Sequence, residues 1–252
     1  MRFSNHVCVV TGSSRGIGAH IARRFAADGA AVVLNGRGAT RTSLEQLDAL
    51  RDEIQGAGGR AAVAPADISG RAGVEQLVSS AQDSFGRLDY LILNAARAPI
   101  KNYDRLLERD LRQLVETNFI GNILCIKNAL PMLEKSGGSI VFVSSLGSRV
   151  ALPEYPLGSI KAAMEAVIRD LSVMLDGRGV SANAVCGGLV KTDSIKTLRQ
   201  VWPGVETLDD EAWVSADEIT DVIMFLCSHA ARGIQGQTIV VDRGLTNRLR
   251  GF

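Results

Sequence analysis

The sequence predicts an α/β fold, a doubly wound parallel sheet of about seven strands with helices on both faces, in a single domain. Three observations carry that expectation. Apolar runs of strand length alternate with amphipathic helical stretches from end to end. A glycine-spaced turn, Thr11-Gly12-Ser13-Ser14-Arg15-Gly16-Ile17-Gly18, joins the first such pair. The 252 residues are 46% hydrophobic, enough for one large core, and no Pro/Gly/Ser linker or repeat divides them.

The first strand reads as Val7-Cys8-Val9-Val10. After the turn, Gly18, Ile21, Ala22 and Phe25 recur at the i, i+3, i+4, i+7 spacing of one helix face. Ala31 to Leu34 is the second strand. Leu44, Leu47 and Ile54 mark a helix that the cluster from Gly56 to Gly59 ends. A short third strand, Ala61 to Ala64, leads to Asp67, and Val74, Leu77, Val78, Ala81 and Phe85 form the next helical stripe. Leu88 to Leu93 is a near-continuous apolar run, as expected where both faces of a parallel sheet are covered. A long helical region, Arg105 to Leu133, precedes the strand Ser139 to Val143. Another helix, Pro156 to Leu175, precedes the strand Val180 to Val185. Residues 187–213 show little periodicity and read as a substrate-side flap with short helices. Ala216 to Cys227 is the final helix and Gln237 to Val241 the final strand. Right-handed crossovers then give the doubly wound sheet, whose ligands lie beyond the carboxyl ends of its strands.

Composition narrows the partners. A formal net charge of +1 gives no electrostatic case for nucleic acid or for an anionic membrane. The N-terminal apolar run is too short for a signal peptide, and no apolar segment approaches the roughly 18 residues of a membrane span. Cys8, Cys125, Cys186 and Cys227 are isolated and read as reduced packing residues, so a cytoplasmic protein is expected. His6, His20 and His229 are scattered, and no residues have metal-ligand spacing.

Strand, glycine turn and helix in succession suit a dinucleotide. The turn is tight, the backbone can approach a diphosphate, and a helix N-terminus presents N–H groups to its charge. Gly12, Ser14, Arg15, Gly16, Ile17 and Gly18 are the candidate residues. At the end of the second strand, Leu34-Asn35-Gly36-Arg37 holds no acid, whereas an NAD site usually places one there for the ribose 2′-hydroxyl. Arg37, with Arg15, could instead pair with a 2′-phosphate, which favours NADP(H). Each arginine taken alone reads as a solvated surface residue.

The T-G-x-x-x-G-x-G form resembles the short-chain dehydrogenase/reductase superfamily, and further motifs extend that resemblance over essentially the whole chain. The resemblance implies that Asp67 accepts a hydrogen bond from the adenine amino group, with its neighbour Ile68 also in the cofactor site. The bland alternative for Asp67 is a helix-capping loop residue. Leu93-Asn94-Ala95-Ala96 stands where relatives carry N-N-A-G, and matches at Asn94 and Ala95. By the same resemblance Asn118, in Thr117-Asn118-Phe119-Ile120-Gly121, orders a water that links the lysine to solvent. Ser145, in Val143-Ser144-Ser145-Leu146-Gly147, hydrogen-bonds the substrate carbonyl. Lys161 binds the nicotinamide ribose and lowers the pKa of a neighbouring tyrosine, and Thr192 touches the nicotinamide carboxamide. Val241-Asp242-Arg243-Gly244 resembles V-D-G-G, with Arg243 in place of the first glycine. Arg97 reads either as a contact for a substrate phosphate or carboxylate or as a plain surface arginine.

The family's Y-x-x-x-K departs here. Leu157 stands four residues before Lys161, and leucine cannot donate a proton. Tyr155 is six before it, which on a continuous helix is rotated about 120° away. Pro156 favours a helix start and holds its predecessor extended, so Tyr155 is expected outside the helical phase and free to enter the site. The arrangement resembles the NADPH-dependent enoyl-acyl-carrier-protein reductase branch, with one residue fewer between tyrosine and lysine. It implies hydride transfer to an enoyl thioester, carried by an acyl-carrier protein or coenzyme A, with Tyr155 stabilising the enolate. Two alternatives stand beside it: a ketoreductase of a β-ketoacyl or other carbonyl substrate, and a catalytically silent NADP(H)-binding protein. The resemblance also implies a homo-oligomer, a tetramer or dimer.

Overall fold

The computed structural model describes residues 1–191, 205 and 208–249. Its strands are β1 Val7–Val10, β2 Ala31–Gly36, β3 Arg60–Pro65, β4 Tyr90–Leu93, β5 Ser139–Ser145, β6 Ser181–Gly187, β7 Leu189–Val190, β8 Trp213–Val214 and β9 Thr238–Val241. Seven of these form one sheet in the order β3-β2-β1-β4-β5-β6-β9. Every neighbouring pair in it is parallel. The helices are α1 Gly16–Ala27, α2 Arg41–Gly56, α3 Arg71–Phe85, α4 Glu108–Val115, α5 Gly121–Ser136, α6 Leu157–Met174, α7 Ala216–Leu226 and α8 Leu245–Leu249.

Strand alternation sorts the core into two layers. Cys8, Val10, Val32, Leu34, Ile92 and Val141 pack on one face against residues of α1, α2 and α7. Val9, Val33, Leu91, Leu93, Ile140 and Phe142 pack on the other against α3, α5 and α6. Both faces of β1, β2 and β4 are therefore buried, which is why those strands read as unbroken apolar runs. The apolar face expected on α1 is present: Gly18, Ile21, Ala22 and Phe25 are all buried. In α2, Leu47 and Ile54 enter the core, but Leu44 is 37% exposed.

Three regions differ from expectation. The stretch from Arg105 to Leu133 is not one helix. A 3-10 turn, Tyr103–Arg105, precedes α4, and a π-helical segment, Glu116–Ile120, joins α4 to α5. The flap region is tied at its two ends by a small parallel ribbon of β7 and β8, whose neighbours Leu189, Val205 and Ala212 pack with Leu146 and Leu245. The short α8 was not expected. Asp242 caps it, its carboxylate accepting hydrogen bonds from the Gly244 and Thr246 N–H groups and from the Thr246 hydroxyl. Beside it Arg243 takes a left-handed φ of 51° where a glycine would be at ease, and its guanidinium pairs with both oxygens of Glu218.

β1 lies between β2 and β4, so the chain winds in opposite directions from the sheet's middle. The carboxyl ends of β1 and β4 bound the crevice where such sheets take a ligand.

Candidate active site

The glycine turn fills one side of that crevice, and its shape is fixed by close approach. A Cβ on Gly18 would stand 2.4 Å from the Gly12 carbonyl oxygen and 2.5 Å from Asn94 Nδ2. Gly12, at φ +65°, would meet Ala95 Cα at 2.8 Å. Gly16 is different: at φ +58° it needs a left-handed backbone, yet a Cβ there would meet nothing within 4 Å. That open space lies at the start of α1, which has no side-chain cap and no acidic residue in its first turn. A diphosphate fits there, next to backbone N–H groups and the positive end of the helix dipole.

Four hydrogen-bonding side chains hold the turn. Asn94 Nδ2 donates to the carbonyls of Thr11 (3.0 Å) and Gly12 (3.1 Å). Thr11 Oγ1 accepts from the N–H groups of Asn94 and Ala95, bonding the first loop to the loop after β4. From β2, buried Asn35 donates to the carbonyls of Ala64 and Ala66 and accepts from the Gly12 N–H. Its own N–H donates to Ser13 Oγ at 2.8 Å. Asn35 and Thr11 are structural supports that the sequence reading passed over. The signal was a polar residue inside an otherwise apolar strand, which must find partners once buried.

Around the crevice, Ser14 and Ile17 are half-buried, whereas Arg15 and Arg37 are exposed and make no ion pair among the described residues. Asp67 is exposed and accepts from the Ser69 N–H, while Ile68 is buried beneath it. Gly121 packs on the Ile68 carbonyl, where a Cβ would come within 2.5 Å. Thr192 lies outside the described residues.

Asn118 sits in the middle of the π-helical segment, 1% exposed. Its Oδ1 accepts from the Arg97 N–H at 2.9 Å, and its Nδ2 donates to the carbonyls of Arg97 (2.6 Å) and Leu114 (2.8 Å). The side chain thus ties the loop after β4 to the widened helical turn; such π-bulges recur at functional sites.

The end of β5 carries the reactive groups. Ser144 turns toward α6, where its hydroxyl donates to Glu165 at 2.5 Å. Ser145, on the opposite face, has a buried Oγ with no hydrogen-bond partner among the described residues. Lys161 is 4% exposed, and its ammonium donates to the Val143 carbonyl at 2.5 Å and lies 4.5 Å from the Phe142 ring centre. Burial pulls its pKa down to about 8, with Cys186 and Glu165 opposing. Tyr155 precedes Pro156 and the start of α6, so it is outside the helical phase. Its ring lies against Gly147, with Cδ1 3.3 Å from where a Cβ would be, and burial raises its pKa. Leu157 starts the helix and is buried. Ser145, Tyr155 and Lys161 therefore converge on one short segment at the end of β5, Val143 to Gly147.

A family model described as Enoyl-(Acyl carrier protein) reductase matches residues 12–246. The chain belongs to the short-chain dehydrogenase/reductase superfamily. A 1-cyclohexenylcarbonyl-CoA reductase of Streptomyces collinus is 34% identical over 247 residues, covering 95% of this chain and 86% of that protein. A 3-oxoacyl-[acyl-carrier-protein] reductase of Synechocystis is 31% identical over 242 residues, covering 95% and 96%. Among solved structures, a gluconate 5-dehydrogenase of Burkholderia cenocepacia in complex with NADP and tartrate matches with a TM-score of 0.88. It is 26% identical and covers 98% of this chain and 97% of its own. The chain is accordingly an oxidoreductase of this superfamily that uses a nicotinamide nucleotide. No described helix is long and apolar enough to cross a membrane, and no metal-binding group of side chains occurs among the described residues.

Proposed function

We propose that this short-chain dehydrogenase/reductase is an NADPH-dependent reductase of an enoyl thioester. One observation carries the reading. The tyrosine lies outside α6, its ring against the Gly147 turn, and two residues before that glycine the Ser145 hydroxyl is buried and without a hydrogen-bond partner among the described residues. Reducing an enoyl thioester needs donors for the charge developing on the thioester oxygen, an oxyanion-type role rather than transfer to an alkoxide. A tyrosine displaced from the usual helical position suits that role.

When bound, NADPH supplies a hydride to the substrate's β-carbon. Gly12, Gly16 and Gly18 shape the bed for its diphosphate, and Arg15 and Arg37 offer to a 2′-phosphate two exposed guanidinium groups that have no ion pair among the described residues. Asp67, Ile68 and Asn94 flank the nucleotide, and Thr192 is placed at the nicotinamide by resemblance alone. Ser145 Oγ and the Tyr155 hydroxyl donate hydrogen bonds to the thioester oxygen. Because burial raises the Tyr155 pKa, that hydroxyl keeps its proton at neutral pH. Lys161, an ammonium below about pH 8, binds the Val143 carbonyl two residues before Ser145. Asn118 holds the loop at Arg97, which bounds the substrate side.

The names of the relatives support both enoyl and carbonyl reduction as chemistries of similar proteins. A ketoreductase is the second reading, because a Ser–Lys pair at a strand end serves a ketone equally well. NADPH absorbance decay with crotonyl and acetoacetyl thioesters separates the two: decay with the first is expected, and decay with the second alone makes the protein a ketoreductase. NADPH binding without decay on either leaves a silent nucleotide-binding protein. Tyr155→Phe should cut turnover by about a hundredfold with NADPH affinity unchanged; unchanged turnover removes Tyr155 from the mechanism. Exposed Leu111 and Ile120 near the α4–α5 junction, with Val173 and Met174 on α6, support a homo-oligomer, which light scattering tests. Four free, buried cysteines suit a cytoplasmic location.

A further inference from the structure

We infer that Glu165 is a positioning residue for the reaction, holding from α6 the Leu146–Ser148 turn that follows Ser145 and carries the Gly147 contact with the Tyr155 ring. The inference rests on the reading of Ser145 and Tyr155 given above. Glu165 is 4% exposed, and a carboxylate so buried needs partners. Its Oε1 accepts from Ser144 Oγ at 2.5 Å and Ser148 Oγ at 2.6 Å, and its Oε2 lies 2.8 Å from Arg149 Nη2. All three donors come from the segment 144–149, which leaves the end of β5 and turns back. Cys186 of β6, buried and paired in register with Ser144, closes the group with its Sγ 3.8 Å from Ser148 Oγ.

The same helix grips this segment at two further points. Lys161 and Glu165 are four residues apart, so both reach from one face of α6. Lys161 takes the Val143 carbonyl, Glu165 the Ser144 hydroxyl, and between them they fix the last strand residues. One turn earlier, Gly158 is pressed against the Gly147 carbonyl so closely that a Cβ would stand 2.3 Å from it. The turn is thus held by contact at Gly158 and by the carboxylate at Glu165. Ser145 and Gly147, the residues that meet the substrate and the Tyr155 ring, lie between those anchors. Without the carboxylate the Ser144 and Ser148 hydroxyls lose their shared acceptor, Ser148 keeping the Ser145 carbonyl at 2.9 Å, and the Arg149 guanidinium loses this counter-charge, so the turn has reason to move.

Glu165→Gln and Ser148→Ala test this, the second removing one donor while the carboxylate keeps Ser144 and Arg149. The measurements are hydrogen exchange of peptides covering 144–151, NADPH affinity, and kcat and KM with crotonyl thioester. Exchange should speed up at the Arg149 and Val150 amides, which both donate to the Leu146 carbonyl. The rest of β5 and α6 should stay protected. Turnover should fall about tenfold or more while KM and NADPH affinity stay within about twofold. Should Glu165→Gln fail to fold, Ser148→Ala carries the same expectation with a smaller loss. Unchanged exchange at the turn, or unchanged kcat in both variants, overturns the inference. A wild-type protein that reduces neither crotonyl nor acetoacetyl thioester overturns the proposed function instead, and the exchange measurement alone then decides whether Glu165 holds the turn.

Discussion

Lys161 makes the stability of this protein depend on pH in a direction opposite to most lysines that gain a partner on folding. Its folded pKa is about 8, pulled below the ordinary 10.5 mainly by burial. Below pH 8 the group is protonated in both states, and the folded state bears the full cost of a desolvated ammonium. Between about 8 and 10.5 the unfolded chain still binds the proton while the folded chain has released it, so raising pH favours folding. The gap corresponds to roughly 3 kcal/mol, fully gained by about pH 10.5. Lys161→Met removes the titration while keeping the length of the side chain. At neutral pH the variant sheds the desolvation cost but leaves the Val143 carbonyl without its donor, at about 1–3 kcal/mol, so the two proteins should be similar in stability. Urea unfolding of both, from about pH 7 to 10.5, should show wild type gaining on the variant by about 3 kcal/mol. Other groups that titrate there are common to both and cancel in the difference. Parallel pH curves would refute the assignment of a depressed pKa to Lys161.

Four further outcomes follow from contacts already described. Gly18→Ala forces a Cβ against the Gly12 carbonyl, and Gly16→Ala strains a left-handed backbone by about 1–2 kcal/mol and puts its methyl into the space assigned to the diphosphate, so both should weaken NADPH binding at least about tenfold by calorimetry. Asn35→Ala strips acceptors and donors from three backbone groups and should lower stability by about 2–4 kcal/mol in urea titrations. The double variant Arg15→Ala/Arg37→Ala should raise the dissociation constant for NADPH about tenfold or more and leave NADH binding unchanged; equal losses for both coenzymes would remove the 2′-phosphate contact. Arg243→Gly relieves a left-handed residue but loses an exposed ion pair, two effects of about 1 kcal/mol each, so its midpoint in thermal unfolding should barely move.

The order of strands and helices was legible because each parallel strand is buried on both faces and each helix on one. Val7 to Val10, or Ile21, Ala22 and Phe25, allow few other readings. The π-helical segment at Glu116–Ile120 was not legible, since one extra residue shifts the apolar pattern a single time, by about 100°, and one such shift looks like an ordinary irregularity of the spacing. It was nonetheless marked by Asn118, a buried amide whose partners include the Arg97 backbone. The β7–β8 ribbon pairs residues more than twenty positions apart over only two residues a strand, too little for a periodic signal. Within the site, the motifs pointed to Ser145, Tyr155 and Lys161, but Glu165 looked like an ordinary charge on a helix. Its burial is a property of what crosses above it, the serine pair and Arg149, and no local pattern records that.

Pro156 separates two jobs that other arrangements would place on one rigid rod. Lys161 moves only if α6 moves, whereas Tyr155 rides on the strand-to-helix connection that ends at the proline. The length of that connection can therefore change by a residue, shifting the hydroxyl along the substrate, while the ammonium stays where it is. Selection acting on residues 149–154 could retune which oxygen is reached without redesigning the coenzyme side.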